Sequence, residues 1–253
     1  MRLGELNDFL QPVPKTQRAP FLFLLKETLA GLCFEGCPST IDQLLHNPPP
    51  PPHNDRQDWR EFLPNDDPPL QPLVGIGVAC LAWHKKQGRW DTTDVGTIRL
   101  VADLLRREKI AAQPYLCIGD YFFRHRDAYH HALEESIRTG RPEYWLEFFL
   151  SGIRESAESG MITVASISRL YKEIQNRIIS GLGQRVNTAF RTLDFLMQHP
   201  VTDSRQIADG ASVDISTANR MIKNFLTLGI LVPCPGNNRN RRFIFEEYVA
   251  LFR

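Results

Sequence analysis

Apolar residues recur at helical spacing along most of the chain. From Ile98 to Leu105 they lie three or four residues apart, which predicts an amphipathic helix over Val95–Glu108. The preceding loop, residues 85–94, contains Asp91 and Asp94, whose side chains suit a helix N-cap. A loop before a helix N-terminus is also a natural anion site, so this loop is either a cap or a phosphate cradle.

Longer apolar stretches predict further helices. Phe21–Leu32 and Leu70–Lys86 are apolar on most sides, which is typical of buried helices. Cys117–Ser159 predicts two helices with a break near Gly140, and Met161–Ile179 predicts another amphipathic helix. The fold class expected from these segments is mainly α.

The pattern changes near Ser180–Arg185, where two glycines interrupt the helical spacing. We therefore predict a helical domain over residues 1–182 and a second domain over 183–253. In the second domain, Gly210 is expected to form a tight turn between two short helices, and Ser216 is expected to open the second of them. Apolar side chains at Ala218, Met221, Ile222 and Phe225 are expected to face inward.

Two apolar runs flank Gly236, Asn237 and Asn238, which is a β-hairpin signal. A helix-turn-helix followed by a hairpin predicts a winged helix-turn-helix domain. The second helix of such a module enters the DNA major groove, where its early side chains reach base edges. The candidate DNA-binding residues are Ser216, Thr217, Asn219, Arg220 and Lys223 on this helix, and Arg239, Arg241 and Arg242 at the hairpin.

Charge limits how strongly this module can bind DNA without sequence preference. Residues 186–253 hold eight Lys/Arg and six Asp/Glu, a net charge of +2, so the module is only mildly basic. The alternative to DNA binding is that the winged helix serves for dimerisation or packing.

Composition is that of an ordinary globular chain. The 253 residues are 42% hydrophobic and 23% charged, with a formal net charge of +1. The five cysteines are scattered, which favours reduced thiols and a cytoplasmic location. No long apolar run predicts a membrane span, so no membrane partner is expected. Neither His125 and His130 nor His125 and His131 have the i, i+4 spacing that a zinc-binding pair on a helix requires, so no metal site is expected.

Several segments resemble, in order, the Fic (filamentation induced by cAMP) family with a C-terminal winged helix. They are APFLFLLKETLAGLCFEG, PLQPLVGIGVACLAW, IRLVADLLRREKIAAQPYLCIGDYFFRHRDAYHHAL, NRMIKNFLTLGIL and NRRFIFEEYVALF. The resemblance covers nearly the whole chain. It implies a Fic-like α-helical bundle, and the activity of that family is transfer of AMP from ATP to a protein hydroxyl.

The catalytic motif of the family is His-x-Phe-x-x-Gly-Asn-Gly-Arg-x-x-Arg. If Arg99 corresponds to its last arginine, none of the other motif residues is present. Gly88, or Gln87 with a shift of one, then lies at the histidine, and neither can act as a general base. The remaining motif positions fall on Trp90, Thr93, Asp94, Val95 and Gly96. His84, about one turn upstream, is the one candidate to replace the base, and the alternative is that it is simply packed.

Two other features of the family are altered. Glu35 and Gly36 match its inhibitory Glu-Gly, which implies a pair between Glu35 and Arg99. The target-docking flap is missing, because Leu45 runs almost directly into Pro48. We therefore expect a protein that does not transfer AMP and acts by binding DNA or a protein target, with a homodimer as a further option. The alternative is a residual or altered nucleotidyl or phosphoryl transferase, and only that alternative requires ATP and Mg²⁺.

Overall fold

The computed structural model describes residues 20–34, 39–46, 59–62, 70–88, 95–110, 115–234 and 241–253. Helices make up most of these residues, so the protein is mainly α, as the sequence predicts. The chain divides into two compact units. The second holds residues 162–253 together with 20–22 and 45–46, and the first holds the other described residues.

Short and medium-length helices build the first unit. They are α1 (Pro20–Phe34), α2 (Ile41–His46), α3 (Pro72–Gln87), α4 (Val95–Arg107), α5 (Ile118–Arg124), α6 (Arg126–Thr139) and the first part of α7 (Glu143–Leu182). Capping residues set several of their ends. Thr40 caps α2, because its hydroxyl accepts from the Gln43 N–H at 3.3 Å while the Gln43 side chain accepts from the Thr40 N–H at 2.8 Å.

The helix break expected near Gly140 is confirmed, because α6 ends at Thr139 and α7 begins at Glu143, but the other breaks between Cys117 and Ile179 differ from those expected. His125 separates α5 from α6, whereas α7 runs without interruption for 40 residues through the break expected after Ser159. Gly160 lies inside α7 and packs against the chain near Tyr115, since a Cβ there would lie 2.4 Å from the Tyr115 carbonyl oxygen. The glycine allows close packing in this helix instead of ending it.

An aromatic cluster forms the centre of the first unit. The fully buried Trp145 donates from its indole nitrogen to the Gly77 carbonyl at 2.8 Å, which links α7 to α3. The rings of Phe122 and Tyr129 lie 6.0 and 5.4 Å from that of Trp145. Phe122 and Tyr129, and the nearby Tyr121, are all buried.

The second unit contains short helices and a small sheet. After the end of α7 and the 3-10 turn Gly183–Arg185 come α8 (Val186–Leu196), β1 (Val201–Thr202), α9 (Ser204–Gly210), α10 (Ile215–Thr227), β2 (Val232–Pro233), β3 (Phe243–Ile244) and α11 (Glu246–Val249). The sheet is antiparallel with strand order β1-β3-β2. Ile244 pairs with Val201 on one side and with Val232 on the other.

Polar contacts attach α7 to the rest of the second unit. Arg177 donates to Glu247 of α11 at 2.6 Å and to Glu173 of α7 at 2.5 Å. The Tyr171 hydroxyl donates to Asp194 of α8 at 2.9 Å. The C-terminal part of α7 is therefore an integral element of the second unit.

Candidate nucleic-acid interface and buried polar centres

The start of α9 is fixed by a reciprocal capping box. Asp203 accepts from the backbone N–H of Arg205 and Gln206 at 2.8 and 3.0 Å, and the Gln206 side chain accepts from the Asp203 N–H at 3.0 Å. This arrangement satisfies N–H groups that a helix start leaves without partners. The turn that leads from α9 to α10 therefore starts from a well-defined helix.

The tight turn between α9 and α10 is not made by Gly210, so that prediction is wrong. Gly210 is the last residue of α9, and a Cβ there would lie 2.0 Å from the Phe195 ring. Ser212 takes the left-handed conformation of the turn, with φ of 51°. Gly210 is needed for close packing on α8, and the turn follows it.

One face of α10 is exposed and mostly polar, with Ile215 and Leu226 as exposed apolar side chains, and the opposite face is buried. Ala218, Met221, Ile222 and Phe225 are buried, as expected. The exposed face carries side chains at helical spacing, namely Ser216, Asn219, Arg220, Lys223 and Thr227. No residue of α10 is acidic, so its exposed face is neutral to basic along its length. Gly229, with φ of 68°, lies just beyond its end.

Asp214, not Ser216, caps the N-terminus of α10. Its carboxylate accepts from the Thr217 N–H at 2.9 Å, from the Ser216 hydroxyl at 2.5 Å and from the Thr217 hydroxyl at 2.7 Å. These hydrogen bonds hold the pKa of Asp214 well below its usual range, and the bond from the Ser216 hydroxyl has the largest effect. Arg220 in turn donates from Nη2 to the Thr217 hydroxyl oxygen at 3.1 Å.

The strands β2 and β3 of the predicted hairpin follow α10 in the chain. The Cys234 N–H donates to the Arg242 carbonyl at 2.9 Å and extends the pairing beyond Pro233. Arg241 is exposed and Arg242 is half-buried. Arg239, the third arginine predicted to contact phosphates, and the expected turn at residues 236–238 lie outside the described residues.

The loop between α3 and α4 is described only at its edges. Gln87 ends α3, and Gly88 follows it in the left-handed conformation with φ of 61°. At the other edge Val95 begins α4, Gly96 is half-buried and Arg99 is exposed. Trp90, Thr93, Asp94, the side chain of Val95 and the expected partner of Arg99, Glu35, lie outside the described residues.

His84, the candidate replacement base, is buried among hydroxyl groups. Its side chain is 1% exposed, and its Nε2 lies 3.0 Å from the Thr97 hydroxyl and 2.9 Å from the Tyr129 hydroxyl. These contacts link α3 to α4 and α6. A histidine packed in this way stabilises helix packing, which favours the second of the two interpretations drawn from the sequence.

Glu27 of α1 forms a second polar centre. Both of its carboxyl oxygens accept from the Gly119 N–H, at 2.9 and 3.0 Å, at the start of α5. Desolvation raises the pKa of Glu27 to about 8, although the hydrogen bond from Gly119 opposes this. Nearby, Asp120 lies 3.8 Å from Lys26 and 3.2 Å from Arg124. Glu27 is therefore neutral over much of the range in which an exposed glutamate is charged.

Sequence patterns could have indicated two of these residues. Asp214 directly precedes an amphipathic helix, which is an N-cap signal. Glu27 is an acidic residue within an otherwise apolar stretch, which indicates an unusual environment. Nothing in the local sequence brings Thr97 and Tyr129 to His84, because that contact depends on tertiary packing.

Comparisons with known proteins do not assign the chain to a family. No protein-family model matches the sequence, and no curated protein matches it. Among the described residues, no cluster of three or more His, Cys, Asp or Glu side chains is arranged to hold a metal ion. Within the same part of the chain, none of the helices combines the length and the apolar character that crossing a membrane requires.

Proposed function

We propose that this protein is a DNA-binding regulator that uses a winged helix-turn-helix domain attached to a catalytically degenerate Fic-like helical domain. The observation that carries the proposal is the exposed face of α10. It carries mainly polar and basic side chains, with no acidic residue, on a helix whose other face is packed. A helix of this kind fits the major groove and can present its side chains to base edges.

Individual side chains on this face have the chemistry that base reading needs. Asn219 can bond adenine through its amide, and Arg220 can bond guanine through its guanidinium group. Lys223 supplies a positive charge for a nearby phosphate. The proposed contacts of Arg241 and Arg242 with the backbone would come from the hairpin, as in other winged modules.

The proposal that the first unit lacks AMP transfer rests on the resemblance to the Fic family and on the absence of a base at Gly88 or Gln87. The packing of His84 supports it. A general base must reach the proton that it removes, and His84 is buried and bonded to Thr97 and Tyr129. Such a unit would contribute a scaffold or a protein-binding surface, so inhibition of a protein target remains compatible with the proposal.

Two further elements complete the proposal. A homodimer would present two copies of α10, and its two-fold symmetry would match a palindromic DNA site. Reduced cysteines are typical of the cytoplasm, and Cys33, Cys80, Cys117 and Cys234 are free thiols, so we propose a cytoplasmic location.

Selection from a pool of random-sequence DNA duplexes tests the proposal. The full chain is mixed with fluorescent duplexes of about 30 base pairs, a length that spans two half-sites. We expect enrichment of a defined sequence whose affinity falls as salt rises. Because few basic side chains are available, the slope of log K against log salt should be shallow, about −3 to −5. Failure to enrich any sequence at low salt would refute DNA regulation.

A thermal-shift titration with ATP and Mg²⁺ tests the alternative. If residual nucleotidyl or phosphoryl transfer is the function, saturating ATP should raise the melting temperature, because a ligand that binds only the folded state stabilises it. Labelled AMP or phosphate should then appear on a protein. We expect neither result.

A further inference from the structure

Arg220 does not extend freely from the exposed face of α10. Its Nη2 donates to the Thr217 hydroxyl oxygen at 3.1 Å, and the Thr217 hydroxyl in turn donates to Asp214 at 2.7 Å. The chain of contacts therefore runs from the helix cap to the guanidinium group. Thr217 and Arg220 lie within the first two turns of α10, where a recognition helix contacts base edges, and Asp214 is the N-cap of this helix.

We propose that Thr217 is a positioning residue that holds Arg220 to read one guanine in the DNA site. This inference rests on the proposed DNA-binding function and deepens it. The hydroxyl proton of Thr217 points to Asp214, so the lone pairs of its oxygen face Arg220 and accept from it. Asp214 thus orients Thr217, and Thr217 orients Arg220.

The remaining donors of Arg220 suit a guanine. An arginine has five N–H donors in a fixed fork, and one of them is used by Thr217. The others can bond the O6 and N7 acceptors of guanine in the bidentate manner that gives strong discrimination. Holding the flexible side chain in place before binding lowers the ordering cost on binding, so the contact discriminates more strongly.

The Asp214 charge favours base contact over phosphate contact at this end of α10. A helix N-terminus normally attracts phosphate, but here the Asp214 carboxylate accepts from the Thr217 N–H and places a negative charge at this end of α10. A phosphate approaching the same place would be repelled, so Arg220 meets its partner deeper in the groove.

A matched pair of substitutions at Thr217 tests whether its hydroxyl positions Arg220. Thr217→Val removes the hydroxyl and keeps the β-branched shape, whereas Thr217→Ser keeps the hydroxyl. The backbone N–H that bonds Asp214 remains in both, so the cap is retained. Arg220→Lys keeps the positive charge and removes the fork, which tests whether the fork reads a base. Circular dichroism melts confirm that each variant is folded.

The experiment repeats the selection from the random duplex pool with wild type and the three variants. We expect wild type to favour guanine over adenine at one position by about tenfold, within the range of a bidentate contact. Arg220→Lys and Thr217→Val should both reduce that preference to about threefold or less, and Thr217→Ser should stay within about twofold of wild type.

Two results would overturn the inference while leaving DNA binding in place. One is a folded Thr217→Val variant with the same guanine preference as wild type. The other is an Arg220→Lys variant that selects the same guanine as strongly as wild type. If wild type itself enriches no sequence, the proposed function fails instead, so the two failures are distinguishable.

Discussion

Replacing Glu27 by Gln should remove a loss of stability that wild type undergoes as the pH rises from about 5 to about 8.5. In the folded first unit the carboxyl accepts the Gly119 N–H and has a pKa of about 8, compared with 4.5 for an unperturbed glutamate. Between these two pH values, the folded state therefore keeps a proton that the unfolded chain has already released. Stability contributed by this proton is present at low pH and is lost as pH rises through the window.

The size of the effect follows from the two pKa values. Each pH unit inside the window costs about 1.4 kcal/mol, so the full difference between 4.5 and about 8 has a ceiling of about 5 kcal/mol. Glu27 is half-buried as a residue, and solvent reaching it reduces this figure. We expect a loss of about 2 to 4 kcal/mol in wild type between about pH 5 and pH 8.5.

Urea unfolding followed by tryptophan fluorescence is a suitable assay. All four tryptophans lie between residues 59 and 145, so their signal reports on the part of the chain that contains Gly119. The Gln side chain can still accept from the Gly119 N–H but does not titrate. The difference in unfolding free energy between Glu27→Gln and wild type should therefore grow with pH. Glu158→Gln, an exposed residue of α7, is the matched control.

A constant difference between Glu27→Gln and wild type across the pH range would refute this reasoning. So would an increase of similar size in Glu158→Gln.

Two further substitutions test the packing in each unit. Gly210→Ala places a Cβ against Phe195, which should destabilise the second unit by about 1 to 3 kcal/mol in thermal melts followed by circular dichroism. Unchanged melting would mean that α9 and α8 can separate easily. Tyr129→Phe removes one of the two hydroxyls at His84 and should cost about 1 to 2 kcal/mol by tryptophan-detected urea unfolding. An equal or greater stability than that of wild type would contradict a structural role for this contact.

Helix periodicity predicted most elements of this fold, because burial of one helix face leaves a regular pattern in the sequence. Pro72–Gln87, Val95–Arg107 and the inward face of α10 all follow such patterns. The sequence predicts a turn at Gly210 and does not single out Gly160, because sequence alone does not distinguish a glycine that ends a helix from one that allows close packing.

The candidate site was predictable only in outline. The exposed face of α10 follows from spacing, but the contact from Thr217 to Arg220 depends on side-chain conformations that spacing does not set. The neutral state of Glu27 likewise depends on α5 folding against α1, which joins residues far apart in sequence. The Fic-like activity and its loss remain predictions from the resemblance.

The affinity of Arg220→Ala for the duplex selected by wild type tests the central claim most directly. Fluorescence anisotropy should show a loss of about tenfold or more for this variant, in line with loss of a bidentate base contact. Arg169→Ala removes an exposed arginine of α7, outside α9, α10 and the hairpin, and should change affinity by less than about twofold. Equal losses in the two variants, or no loss in Arg220→Ala, would contradict DNA recognition by α10.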